Sequence, residues 1–208
     1  MTSAEVELPV LEKLVDAAGD AELPVSYIGF DGLTFKHATW LGPNSTDGYA
    51  LDQSGFYLTG PDHEPNEIGH DPDTVGIPGN LSFLYAQNIT FTNNTCTQMG
   101  GIGLSFGTGS QNNEIVDNIF TDISAAAISL GGIESQDHHP EVDSQLTQDN
   151  LISNNLIEYA GQDFYDSPGI YIGFTTRTTV EHNDIKHVPW SGIAIGWGWG
   201  LRDPGGFA

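Results

Sequence analysis

Between residues 91 and 196, apolar positions recur around an asparagine in one frame: apolar three before it, two after it and five after it. Phe91, Cys96 and Met99 frame Asn94; Ile115, Phe120 and Ile123 frame Asn118; Ile152, Ile157 and Ala160 frame Asn155; Val180, Ile185 and Val188 frame Asn183. Each copy runs on into an apolar-x-apolar-Gly segment, at Leu104–Gly107, Ile128–Gly131, Ile170–Gly173 and Ile193–Gly196. The step from Asn to strand (94 to 106, 118 to 130, 183 to 195) and from strand to the next Asn (106 to 118, 172 to 183) gives a coil of 23 to 24 residues. The third copy is longer, with insertions at 131–149 and 161–168.

A period in the low twenties, built from short alternating strands, restricts the fold to a few solenoids. Leucine-rich repeats need Leu at most apolar positions, whereas here Ile, Val and Phe share them, as suits stacked pleats. The reading is all-β, a parallel β-helix solenoid. The four Asn are expected to align vertically as a ladder of side-chain amides, each tolerating a left-handed backbone at an inward turn, and no helix is expected between 91 and 196.

Upstream, Val6 to Ala18 reads as a helical turn or two that Leu23-Pro24 ends. Phe30, Leu33, Phe35 and Ala38 then repeat the frame with Leu33 in the Asn slot. The chain divides into a lead-in segment, 1–24, and the β-helix, 25–208, with 41–79 as an irregular coil or a surface loop over the solenoid. The last coil runs into Pro204-Gly205-Gly206-Phe207-Ala208 with no cap over its strand edges, which is the pattern of a fragment truncated at one or both ends.

Two hundred and eight residues with 26 Gly and 11 Pro suit a single domain of many short strands and turns. Five Lys and Arg face 28 Asp and Glu, a formal charge of −23. Such a surface disfavours nucleic acid, anionic membranes and polyanionic sugars. No run reaches membrane-spanning length, and the acidic first twenty residues are not a signal peptide. Cys96 stands alone within the apolar frame, a core thiol without an intrachain disulfide. Asn44, Asn80, Asn88 and Asn93 begin Asn-x-Ser/Thr sequons, which an Asn- and Thr-rich solenoid also generates by chance.

The tract GIYIGFTTRTTVEHNDIKHVPWSGIAIGWGWG (169–200) resembles secreted right-handed parallel β-helix repeat proteins of the pectin-lyase-like superfamily, in particular its glycoside-hydrolase-like branch. The resemblance implies an extracellular protein with a polysaccharide or oligosaccharide partner, and leaves the reaction open. The adjacent Asp pair, Gly-His-Gly and Arg-Ile-Lys tracts of polygalacturonases are absent. Lys13, Lys36, Arg177, Lys186 and Arg202 are the few bases open to a pectate lyase. A glycoside hydrolase on a neutral polysaccharide is therefore the leading function. A noncatalytic carbohydrate-binding or adhesive β-helix is the alternative, and a polysaccharide lyase ranks below both.

Insertions at equivalent points of a solenoid fall on one flank and mark its binding face. The two insertions bracket strands whose outward residues, Ser105, Ser129, Tyr171 and Ala194, form a small-residue groove floor. Glycoside hydrolysis needs one carboxylic acid and one carboxylate. Asp163 and Asp166, beside Tyr165, are the candidate catalytic pair, with Asp166 the bet for the catalytic carboxylate and a second carboxylate open to replacement from 134–143. Asp137, His138 and His139 on the first insertion, with Tyr165, Tyr171, Trp197 and Trp199, are candidate sugar contacts, since a pyranose face stacks on an aromatic ring. The His spacing matches no zinc motif, so neither metal nor cofactor is assigned.

Overall fold

The computed structural model describes residues 6–59 and 74–196. Three parallel sheets run along the solenoid, one strand of each per coil. The first contains, in spatial order, Val15–Ala18, Gly79–Leu84, Ile102–Phe106, Ile128–Leu130, Ile170–Ile172 and Ile193–Ile195. The second stacks Gly29–Asp31, Thr90–Thr92, Glu114–Val116, Leu151–Ser153 and Thr179–Glu181; the third stacks Thr34–Ala38, Thr95–Met99, Ile119–Ile123, Leu156–Glu158 and Asp184–Lys186.

The framed positions fall in register. Phe30, Phe91, Ile115, Ile152 and Val180 align in the second sheet, and Phe35, Cys96, Phe120, Ile157 and Ile185 in the third. Their side chains fill one continuous core in which Phe83 and Phe106 stack with ring centroids 4.8 Å apart. Cys96 is fully buried there, and burial pushes its thiol well above the usual range.

The amide ladder forms, with a main-chain N–H of each coil donating to the Asn side chain of the next. The main-chain N–H of Asn94 donates to Asn118 Oδ1 (2.9 Å), that of Asn118 to Asn155 Oδ1 (3.0 Å) and that of Asn155 to Asn183 Oδ1 (3.0 Å). Leu33 N–H donates to Asn94 Oδ1, which places Leu33 at the first rung. A second ladder lies five residues upstream: Ile89 N–H donates to Asn113 Oδ1 and Asn113 N–H to Asn150 Oδ1.

Three expectations are corrected. The left-handed residue is the one before each ladder Asn, namely Asn93, Asp117, Asn154 and His182 with φ of 53–60°, because the chain must turn there before the amide can point inward. Val15–Ala18 is a strand, not a helical turn, since pairing with Leu81–Leu84 satisfies its backbone where a short isolated helix would not hold. A one-turn helix, Ser135–His138, does lie within 91–196, but in the insertion and outside the coil.

The segment after Trp40 forms an antiparallel sheet of Ala50–Leu51, Phe56–Leu58 and Thr74–Gly76. Its Phe56 packs edge-on against Tyr171 (ring centroids 5.4 Å), which lays this sheet over the outer face of the first sheet. No helix among the described residues is long and apolar enough to cross a membrane.

Candidate active site

The outward column of the first sheet is Asp16, Ser82, Ser105, Ser129, Tyr171 and Ala194, in register across successive coils. Because strand side chains alternate between faces, the Leu and Ile neighbours of these residues point into the core and the column faces out. Over it lie two covers: the antiparallel sheet, which brings Gly55, Phe56 and Ile77, and the first insertion, which brings Gly132, Ile133, Glu134 and Asp137. Between floor and covers lies a cavity of about 220 Å³. Among the described residues, its lining contains no Lys, Arg or His.

Asp137 comes from the one-turn helix and is 3% exposed. Thr108 Oγ1 donates to its Oδ1 (2.7 Å) and Glu134 N–H to its Oδ2 (2.8 Å). Burial raises its carboxyl above the usual range and prevails over these two hydrogen bonds, while the nearby Glu134 carboxylate adds to the rise. Glu134 itself is exposed at the cavity mouth. The two acids, three residues apart, thus sit in opposite environments: one enclosed, one wet.

Asp166 stands one layer away. Its neighbour Ser167 packs against the cavity-lining Gly55, where an added Cβ would come within 3.3 Å of Ser167 Oγ. Both Asp166 carboxylate oxygens are shut off from solvent. Burial pushes its pKa up to about 6, with the N–H groups of Gly55 and of Asp166 itself pulling it back and the Asp52 charge adding to the rise. In turn, burial and then the Asp166 charge raise the Tyr49 hydroxyl. Tyr49, Trp40, Tyr57 and Phe164 form an aromatic cluster that ties the 161–168 insertion to the antiparallel sheet.

The remaining expected residues are dispersed. Asp163 is exposed and accepts a 2.6 Å hydrogen bond from Ser124 Oγ, at a corner of the coil. Tyr165 is 66% exposed, whereas Tyr171 is buried under Phe56. His138 packs on Phe174, and its Nδ1 lies 2.6 Å from that of His139, which lines a separate, more open hollow with Glu134, Ser135, Gln136, Glu141 and Gln145. Trp197 and Trp199 lie outside the described residues. Among the described residues no group of three or more His, Cys, Asp or Glu side chains could hold a metal ion.

The cavity therefore brings together Asp137, Glu134 and Tyr171 of the residues marked out in the sequence, and leaves Asp163 outside. Thr108 and Gly132, which fix Asp137, carry no signal in sequence, since their role depends on a fold-back of the insertion onto the coil.

Residues 49–199 match the family described as "Right handed beta helix region". No curated protein matches the chain. A solved structure titled "Glycoside hydrolase" superposes with a TM-score of 0.80 and 28% sequence identity, covering 92% of this chain and 34% of its own. The chain thus spans about a third of that protein's length.

Proposed function

We propose, from the premise that this chain belongs to the right-handed β-helix family, that it is the glycan-cleaving part of an extracellular glycoside hydrolase acting on a neutral polysaccharide. The observation that carries this reading is the pair Asp137 and Glu134 at one cavity, the first enclosed and the second open to solvent. A carboxyl whose proton affinity burial has raised is suited to give a proton to the leaving glycosidic oxygen, and a carboxylate beside it can stabilise the oxocarbenium-like transition state or activate water. The relative titled a glycoside hydrolase supports the same chemistry. The described lining offers acids, hydroxyls and apolar groups and no cation to pair with a uronate or sulfate, which supports uncharged sugars.

Asp137 donates the proton in this scheme, with Thr108 and the Glu134 N–H fixing the carboxyl. Glu134 is the partner carboxyl group. A second assignment has one observation in its favour: Asp166, with its pKa near 6, is poised to act as the acid behind Gly55.

The test is a panel of neutral polysaccharides (xylan, mannan, galactan, arabinan and β-glucans) offered to the full-length protein and to its Asp137→Asn and Asp166→Asn variants. Loss of an acid–base group typically costs 10²- to 10⁴-fold in rate. That loss in Asp137→Asn, with Asp166→Asn nearly unimpaired, supports the main assignment. The reverse result transfers the role to Asp166. Binding without cleavage by the unaltered protein replaces the hydrolase with a carbohydrate-binding β-helix.

A further inference from the structure

The groove over the outward column is not open along its length. At the fourth of its five rungs between Ser82 and Ala194, Tyr171 is covered by Phe56 from the antiparallel sheet and by Ile133 from the first insertion, and Ala194 packs behind them. Phe56, Ile133 and Tyr171 are 7%, 5% and 3% exposed, so they form a closed apolar wall. Asp137 stands short of this wall: Thr108, which donates to it, follows the strand of Ser105, two rungs from Tyr171, and Gly132, whose added Cβ would lie 2.2 Å from Asp137 Oδ2, follows the strand of Ser129, one rung from Tyr171.

The free space in front of the wall is about 220 Å³ and opens on one side to solvent. It falls below the ~300 Å³ at which pockets for drug-sized ligands begin. A single hexose is of that scale, and the rest of a longer chain would leave through the open side. The floor offers Ser105 and Ser129 hydroxyls, and the wall offers apolar and aromatic surface, a combination that suits the polar rim and flatter face of one uncharged sugar ring.

We infer that this site takes the terminal residue of a neutral glycan and that the protein works from a chain end, releasing one sugar at a time. The inference rests on the glycan reading above and specifies its mode. A polymer lying along the column runs into the Phe56–Ile133–Tyr171 wall, and the proton-donating carboxyl stands one to two rungs short of it, roughly 5–10 Å at about 4.8 Å per rung, so the bond within its reach is the one joining the last residue to the rest.

The experiment uses the full-length protein and the neutral glycan that the panel selects. Labelled oligomers of that glycan are digested and the products resolved by length at early times, beside binding of the same oligomers with free and with chemically blocked ends. The expected result is stepwise loss of single residues from one end, with polymer viscosity falling slowly, and at least a tenfold loss of affinity when that end is blocked. Phe56→Ala combined with Ile133→Ala breaches the wall and is expected to bring internal cleavage and longer products. Internal fragments from the unaltered protein at early times overturn the inference while leaving hydrolysis intact. End-dependent binding without cleavage upholds end recognition and overturns hydrolysis. Equal binding of free and blocked oligomers overturns end recognition, and failure to bind any glycan of the panel overturns both readings.

Discussion

One oxygen of Asn155 receives two hydrogen bonds from Asn118: its Oδ1 lies 3.0 Å from the main-chain nitrogen and 3.0 Å from Nδ2 of a residue 37 positions earlier. Asn118 in turn accepts from Asn94 N–H at 2.9 Å and donates to the Phe91 carbonyl at 2.8 Å. Truncating Asn118 to Ala leaves the buried Asn94 N–H and the Phe91 carbonyl without these partners. At ~1–3 kcal/mol for each buried group left unsatisfied, Asn118→Ala should cost about 3 kcal/mol in chemical denaturation. Asn183→Ala, at a half-buried rung, should cost less.

Gly132→Ala probes the site without touching a titratable group. The new methyl collides with the Asp137 carboxyl, whose two hydrogen bonds to Thr108 and Glu134 resist displacement. A drop in kcat/KM of at least tenfold with little change in Tm is expected, because misplacing a reacting group by about 1 Å can cost on the order of a hundredfold. Full activity in Gly132→Ala shows that the placement of Asp137 does not matter.

The raised carboxyl of Asp166 makes stability depend on pH in a defined direction. Its folded pKa, about 6, lies above the ordinary 3.8, so between these values the folded chain binds more protons than the unfolded one. Its stabilising effect is fully present below about 3.8 and is lost as pH rises through 6. Asp166→Asn should flatten this decline in Tm measured from pH 4 to 7. The raised Asp137 acts in the same direction, so some slope remains until both are replaced.

Each coil turns three corners with a left-handed residue, and several of these are not glycine. Gln98 holds φ at 55°. A side chain there works against a steric penalty of roughly 1–2 kcal/mol, so Gln98→Gly should be neutral or raise stability by up to about 1 kcal/mol. Gln98→Val, with β-branching at positive φ, should lower it by more than that. A thermal melt of the pair distinguishes the two signs.

The coil was legible because its frame is written in every turn: Asn94, Asn118, Asn155 and Asn183 each carry apolar residues at the same offsets, and register turns that into a core. The second ladder escaped because only Asn113 and Asn150 spell it, while Ile89 contributes an N–H alone. Val15–Ala18 carries no such frame and is a strand only because Leu81–Leu84 lies beside it. The site was half legible. The first insertion lines the candidate cavity and the second does not, and which acid is enclosed depends on Thr108 meeting Asp137 and on Phe56 meeting Tyr171, contacts between parts of the chain that share no local pattern.

The ladder bond is as short across the third copy as elsewhere, 3.0 Å against 2.9 Å, although the intervening chain lengthens from 24 to 37 residues. By loop-closure arithmetic that detour costs only ~0.4 kcal/mol. The stack does not register what happens in the excursion, and the excursion is where Glu134 and Asp137 reside. The loops that carry the proposed acids and the stack that holds the fold are thereby independent parts of the same chain: the loops can be lengthened, exchanged or grafted while the scaffold beneath them stays as it is.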